Sequence, residues 1–221
     1  MSTGYFITGT DTECGKTEIT LGLMQSLQNR GKSVVGMKPV ASGAELTLDG
    51  LRNEDALRIQ RQSSTPAPYE LVNPYAFEPP IAPHLAATMA QQEIDFKFIQ
   101  ECQQRLAIST EMVVVEGVGG WRVPLGADGD ISALAKFLNL PVILVVGMKL
   151  GCINHALLSA AAIQSDGLSL AGWVANIMDP KMLELEANLE TLKQAISAPC
   201  LGVVPNMQPV DTSVVADCLN L

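Results

Sequence analysis

Short apolar runs alternate with helix-length segments along the chain. Tyr5–Thr8 predicts a first strand, and Glu18 to Gln28 a helix that continues to about Arg30 before Gly31-Lys32 breaks it. Ser33–Lys38 predicts a second strand, stopped by Pro39, which lacks the N–H a ladder needs. Residues 41–52 are polar and contain glycine, the composition of a loop. Asn53 to Gln62 fits a short helix with Asn53 as N-cap. Residues 63–83 carry six prolines (Pro66, Pro68, Pro74, Pro79, Pro80 and Pro83) and are expected to be mostly irregular. Helical patterns then fit Pro83–Gln92 and Phe96–Ile108.

Four further runs are apolar on both faces. Met112–Val115 ends in Glu116, and Pro141–Val146 follows. Leu170–Asn176 and Cys200–Val204 each come after a helical pattern, Ile153–Gln164 and Met182–Ile196. Strands without a polar face belong in a parallel sheet covered on both sides. The spacing is that of repeated β–α units with right-handed crossovers. These features, with Gly15-Lys16-Thr17 between the first strand and the first helix, predict one α/β domain over residues 1–221, a mostly parallel sheet flanked by helices on both faces, P-loop NTPase-like. Ligands of such sheets sit beyond the carboxyl ends of the strands. Gly9–Thr17, Lys38, Glu116, Lys149, Asn176 and Pro205 all fall there.

The segment Thr8-Gly9-Thr10-Asp11-Thr12-Glu13-Cys14-Gly15-Lys16-Thr17 joins the first strand to the first helix. Its end, Gly15-Lys16-Thr17, is the core of a phosphate-binding loop, which aims backbone N–H groups and a helix dipole at phosphates. The lysine reaches the terminal phosphates, and the threonine hydroxyl is placed for Mg²⁺. The strict pattern needs glycine at position 10, where this chain has Thr10.

An acid at a strand end in such proteins binds Mg²⁺ directly or through water, which makes Glu116 a metal candidate. The Gly117-Val118-Gly119-Gly120 turn after it permits close backbone approach to a ligand. Lys38 can neutralise a transferring phosphoryl group or lie on the surface. Ser42 can donate to a substrate or cap its turn. Asp55 is a second metal candidate, although the helix dipole also explains a first-turn acid and is the stronger reading from pattern alone. The helix start at Gly151-Cys152-Ile153-Asn154 offers free N–H groups to an anion such as a carboxylate. Asn176 can read a base edge or act as a buried cap, with Pro205-Asn206-Met207 bordering the same place. The two histidines, His84 and His155, pair with no nucleophile motif and are expected to be peripheral.

With a formal net charge of −9, the chain lacks the basic stripe of a nucleic-acid binder and is ill suited to an anionic membrane surface. Its longest apolar stretch, Leu140 to Met148, is too short to span a bilayer. Five scattered cysteines without a C-x-x-C pair suit reduced thiols, and the Met-Ser-Thr-Gly start shows no leader; both point to the cytoplasm. Cys14 lies in the phosphate loop, where a passive role outweighs a catalytic one.

Together these segments resemble the dethiobiotin synthetase family. The resemblance rests on Phe6–Thr17, Lys38–Gly43, Leu51–Ala56, Val115–Trp121, Pro141–His155 and Ala171–Asn176, and Thr10 is normal in that family. It implies that diaminopelargonate (7,8-diaminononanoate), carbon dioxide and ATP give dethiobiotin, ADP and phosphate, through a carbamate and a mixed carbamic–phosphoric anhydride. It further implies Lys16 and Lys38 as catalytic residues, and Mg²⁺ on Thr17, Asp55 and Glu116. The nucleotide would meet Glu13, Cys14, Gly15, Lys16, Thr17 and Glu18, then Asp55, Glu116, Gly117, Val118 and Gly119, then Asn176, Ile177, Pro205, Asn206 and Met207. Thr12 and Ser42 would contact the substrate. Gly151, Cys152, Ile153 and Asn154 of a neighbouring subunit would take its distal carboxylate, which implies a homodimer. The alternative is a partitioning-type ATPase or nucleotide switch of the same loop class, which should carry a basic amphipathic helix; none is evident.

Overall fold

The computed structural model describes residues 3–221. Met1 and Ser2, where the leader expectation begins, lie outside the described residues. The chain runs β1 (Thr3–Gly9), α1 (Lys16–Asn29) and β2 (Val34–Met37). Next come β3 (Val40–Ser42), β4 (Glu45–Thr47), β5 (Gly50–Arg52) and α2 (Glu54–Gln62). The proline-rich stretch holds α3 (Tyr69–Val72) and β6 (Tyr75–Phe77), and α4 (Pro83–Met89) and α5 (Phe96–Leu106) follow. Then come β7 (Met112–Gly120), the hairpin of β8 (Pro124–Gly126) and β9 (Gly129–Asp130), and α6 (Ile131–Leu138). The last part is β10 (Val142–Met148), α7 (Cys152–Ser165), β11 (Leu170–Ile177), α8 (Leu185–Ala195), β12 (Cys200–Val204) and α9 (Thr212–Asp217).

Six strands form one sheet in the order β12-β11-β10-β1-β7-β2, every pair parallel. All seven residues of β10 are buried. Successive side chains point to opposite faces, so helices must cover both. Each fully buried Val, Leu or Ile there contributes about 1.5–3 kcal/mol relative to exposure. The first strand lies inside the sheet; the chain next lays β2 at one edge, fills in β7 beside β1, and then builds outward on the other side through β10, β11 and β12. This reversal of strand order opens a crevice at the carboxyl ends of β1, β7 and β10.

Residues 41–52, expected as a loop, instead contain the end of β3 and the antiparallel pair β4–β5. That hairpin is exposed along β4 and turns at Gly50 (φ 97°), so it has no buried face to give it an alternating pattern. Asn53 caps α2 as expected, its side chain accepting from Ala56 N. Helix α6 has no counterpart among the predicted elements; at eight residues it spans barely two turns. Among the described residues no helix is long and apolar enough to cross a membrane.

Candidate active site

Beyond β1 the phosphate loop is fastened to β10. Thr10 N donates to Val145 O at 2.9 Å, and Thr10 Oγ1 accepts from Gly147 N at 3.3 Å. The threonine that departs from the general pattern is therefore a second tie to the neighbouring strand. The loop turns at Glu13 (φ 60°) and Gly15 (φ 86°). A Cβ on Gly15 would lie 2.0 Å from Asn176 Nδ2, which donates to Cys14 O at 3.0 Å. Cys14 is buried against two glycines: a Cβ at Gly9 would fall 2.3 Å from its Sγ, and one at Gly147 3.0 Å from its Cβ.

Lys16 folds under the loop and donates from Nζ to Asp11 O at 2.9 Å. Thr17 Oγ1 donates to Glu116 Oε1 at 2.9 Å. Glu116, on β7, is fully buried, and its Oε1 also accepts from Lys38 Nζ at 2.9 Å. Lys38 Nζ reaches Asp55 Oδ2 at 2.6 Å, which joins β2, α2 and β7 in one cluster. Burial works against the charge on Lys38, but the Glu116 and Asp55 carboxylates outweigh it and hold its pKa above the ordinary lysine value. Burial likewise opposes the charge on Asp55, and Lys38 outweighs it, so this carboxyl lies below the ordinary range.

A buried relay sets the backbone of these groups. Asn53 N donates to Tyr69 Oη, Tyr69 Oη donates to Asn73 Oδ1, and Asn73 Nδ2 donates to Lys38 O. The cap of Asp55's helix is thus bonded, through two side chains, to the residue that pairs with Asp55. Nothing in the local sequence announces Tyr69 or Asn73, because each acts on a segment far along the chain.

These groups line a cleft of about 720 Å³. Thr12, Glu13, Gly15, Lys16, Thr17, Glu18, Lys38, Ser42, Asp55, Glu116, Gly117, Val118 and Gly119 all line it. Its far wall is Pro80, Ile81 and Ala82, expected only as irregular chain, with Pro83 at the start of α4 and Val123. Ser42 Oγ is buried there without a partner. Other predicted residues stand apart. Cys14 packs behind the loop, and Asn176 supports the loop from below. Asn206 Nδ2 donates to Ile177 O and Met178 O, both at 3.2 Å, which brings 205–207 beside the end of β11 but outside the cleft. The start of α7 lies off the cleft as well; no side chain caps it, and the Cys152 side chain is buried.

The metal candidates fit Mg²⁺ on one structural ground. Glu116 Oε2 is buried with no hydrogen-bond partner, beside the Thr17 hydroxyl and the Asp55 carboxylate. An orphaned buried carboxylate oxygen costs stability unless something binds it. The donors are all hard oxygens. Among the described residues no cluster of three His, Cys, Asp or Glu forms a metal cage. Mg²⁺ is usually held by one or two carboxylates with phosphates and water completing its shell.

A parallel sheet whose central first strand runs through such a loop into a helix is the architecture of the P-loop NTPases. Solved structures agree at the level of fold: the MinD cell division protein of Aquifex aeolicus (TM-score 0.56, 16% identity, 99% of this chain and 88% of that one) and the signal recognition particle 54 kDa protein of Aeropyrum pernix (TM-score 0.52, 16% identity, 96% and 42%). Sequence comparison is narrower. The chain matches the AAA domain family over residues 3–213. It is 53% identical over 218 residues to the ATP-dependent dethiobiotin synthetase BioD of Pseudomonas paraeruginosa, covering 98% of this chain and 96% of that one. It is 49% identical to the protein of that name from Cellvibrio japonicus, over 98% of this chain and 95% of that one. The chain belongs to the ATP-dependent dethiobiotin synthetase family.

Proposed function

We propose that this chain is an ATP-dependent cyclo-ligase that converts 7,8-diaminononanoate, carbon dioxide and ATP to dethiobiotin, ADP and phosphate. The observation that carries the reading is the Lys38 ammonium, fixed between Glu116 and Asp55 at 2.9 and 2.6 Å in the cleft the phosphate loop lines. One substrate amine adds to carbon dioxide and loses a proton, giving a carbamate. A carbamate oxygen attacks the γ-phosphorus of ATP, the bond to ADP breaks, and a carbamic–phosphoric anhydride results. The second amine attacks the carbonyl carbon and expels phosphate, closing the five-membered urea.

Phosphoryl transfer depends on positioning and charge neutralisation more than on covalent help. Lys38, kept protonated by its two carboxylates, is a fixed cation for the carbamate and the transferring phosphoryl. Lys16, released from Asp11 O, meets the β- and γ-phosphates while the N–H groups of 13–18 cradle them. Thr17, Asp55 and Glu116 would hold Mg²⁺, which when bound neutralises phosphate charge. Thr12 and the unpartnered Ser42 hydroxyl face the substrate. Asn176 and Ile177, with Pro205, Asn206 and Met207, border the adenine. The uncapped start of α7, off this chain's own cleft, supports a homodimer in which Gly151–Asn154 of the neighbouring subunit bind the substrate's distal carboxylate through backbone N–H groups. Cytoplasmic residence fits such an enzyme and its free cysteines.

Purified protein given 7,8-diaminononanoate, bicarbonate and MgATP is expected to yield dethiobiotin and ADP in equal amounts, followed by mass spectrometry. Folded protein that binds ATP yet forms no cyclic urea sinks the reading.

A further inference from the structure

Helices α1 and α2 pack together, and each carries one member of the metal-facing set: Thr17 on α1 and Asp55 on α2. Next to Thr17, Glu18 receives Arg58 in a two-pronged ion pair, Nη1 to Oε1 and Nη2 to Oε2, both at 2.7 Å. The two side chains are only 30% and 24% exposed. Arg58 lies three residues beyond Asp55, on the same face of a helix of nine residues. Ala56 and Ile59 in the core, the Asn53–Tyr69 bond and the Gln62 bonds to Gln25 and Gln28 seat that helix, and the Glu18–Arg58 pair adds an ionic tie between α1 and α2 one turn from Asp55. Asp55 itself is 41% exposed along its side chain, and among the described residues Lys38 is its one close ionic partner. A planar guanidinium on a carboxylate fixes direction as well as distance.

We propose that Arg58 is a positioning residue: clasped by Glu18, it locks α2 against α1 so that Asp55 stands beside Thr17 and Glu116 for a divalent cation. This rests on the reading that those three residues hold Mg²⁺. A pair that only glued two helices would contribute to stability and leave cation affinity alone.

The test titrates Mg²⁺ into protein carrying a fluorescent ADP analogue, with the Mg²⁺ half-saturation and the Mg²⁺-free nucleotide affinity read separately. Partners that orient metal ligands typically change metal affinity by about 10–100-fold. Arg58→Gln is expected to raise the half-saturation by about tenfold while Mg²⁺-free affinity stays at the parent value. Glu18→Gln should move it in the same direction. The double variant should be no worse than the worse single, because the two residues act as one unit. Arg58→Lys should fall between parent and Arg58→Gln, and it gives the same reading should Arg58→Gln fail to fold. Folded Arg58→Gln with the parent half-saturation overturns the proposal, as does an equal loss of Mg²⁺-free affinity. A parent protein whose nucleotide binding ignores Mg²⁺ overturns the metal reading itself, and this role with it.

Discussion

Lys16→Gln is expected to fold like the parent chain and to lose turnover by about 10³-fold or more, because a cation preorganised for a transferring phosphoryl group is worth that much. In the resting loop Lys16 donates to Asp11 O at 2.9 Å and, more weakly, to Cys14 Sγ at 3.9 Å, and packs its stem under Gly9. Glutamine keeps polarity at this place without the charge, so the cost to folding is about 1 kcal/mol, that of one hydrogen bond. Thermal melting and single-turnover phosphate release check the two halves. Turnover near that of the parent would remove the phosphate loop from the mechanism.

Lys38→Met should lose both activity and stability, and the stability loss should depend on pH. The substitution keeps an apolar stem but leaves Glu116, which is 0% exposed, without its cation. Stranding a buried charge in this way costs about 3–5 kcal/mol. The pH dependence comes from the Lys38–Asp55 pairing that the substitution removes. Lys38 is raised from 10.5 and Asp55 lowered from 3.8, so their pairing is complete between those values and lost only as pH falls through Asp55's lowered pKa or rises through Lys38's raised one. Urea unfolding should therefore show the gap between variant and parent unchanged from pH 5 to pH 9 and narrowing only below 3.8, as Asp55 takes up its proton. Adding Glu116→Gln removes the stranded charge and should restore stability without restoring turnover. A Lys38→Met protein as stable as the parent at pH 7 would show that the pair is not electrostatically coupled.

The parts of the site that could be read along the chain are those a strand end dictates. Glu116 and Lys38 each close an apolar run, and a parallel sheet carries every such end to the same edge. Gly15-Lys16-Thr17 was legible because a helix start after a strand needs particular residues in order. Asp55 was ambiguous from its own segment; only the 2.6 Å contact with Lys38 places it in the cleft rather than merely at a helix dipole. The Glu18–Arg58 pair and the Tyr69–Asn73 relay were invisible, since they join residues 40 and 35 positions from their partners. Pro80 to Ala82 read as irregular chain, and they are that: held stiff between Pro79 and the helix start at Pro83, they wall the cleft instead of forming a strand or helix. Glu18 was expected at the nucleotide, and its carboxylate turns to Arg58, leaving only its backbone N–H for a phosphate.

Cys14 sits where the loop presses against the sheet, with Gly9 and Gly147 hollowed to receive its sulfur. Because no reagent reaches a thiol held at 1% exposure, alkylation of Cys14 can go no faster than the loop lifts. The sulfur is thus a built-in clock for loop opening. Nucleotide, which binds the closed loop, should slow that clock in proportion to its occupancy, and the other buried thiols, Cys102 and Cys152, supply the background rate for comparison.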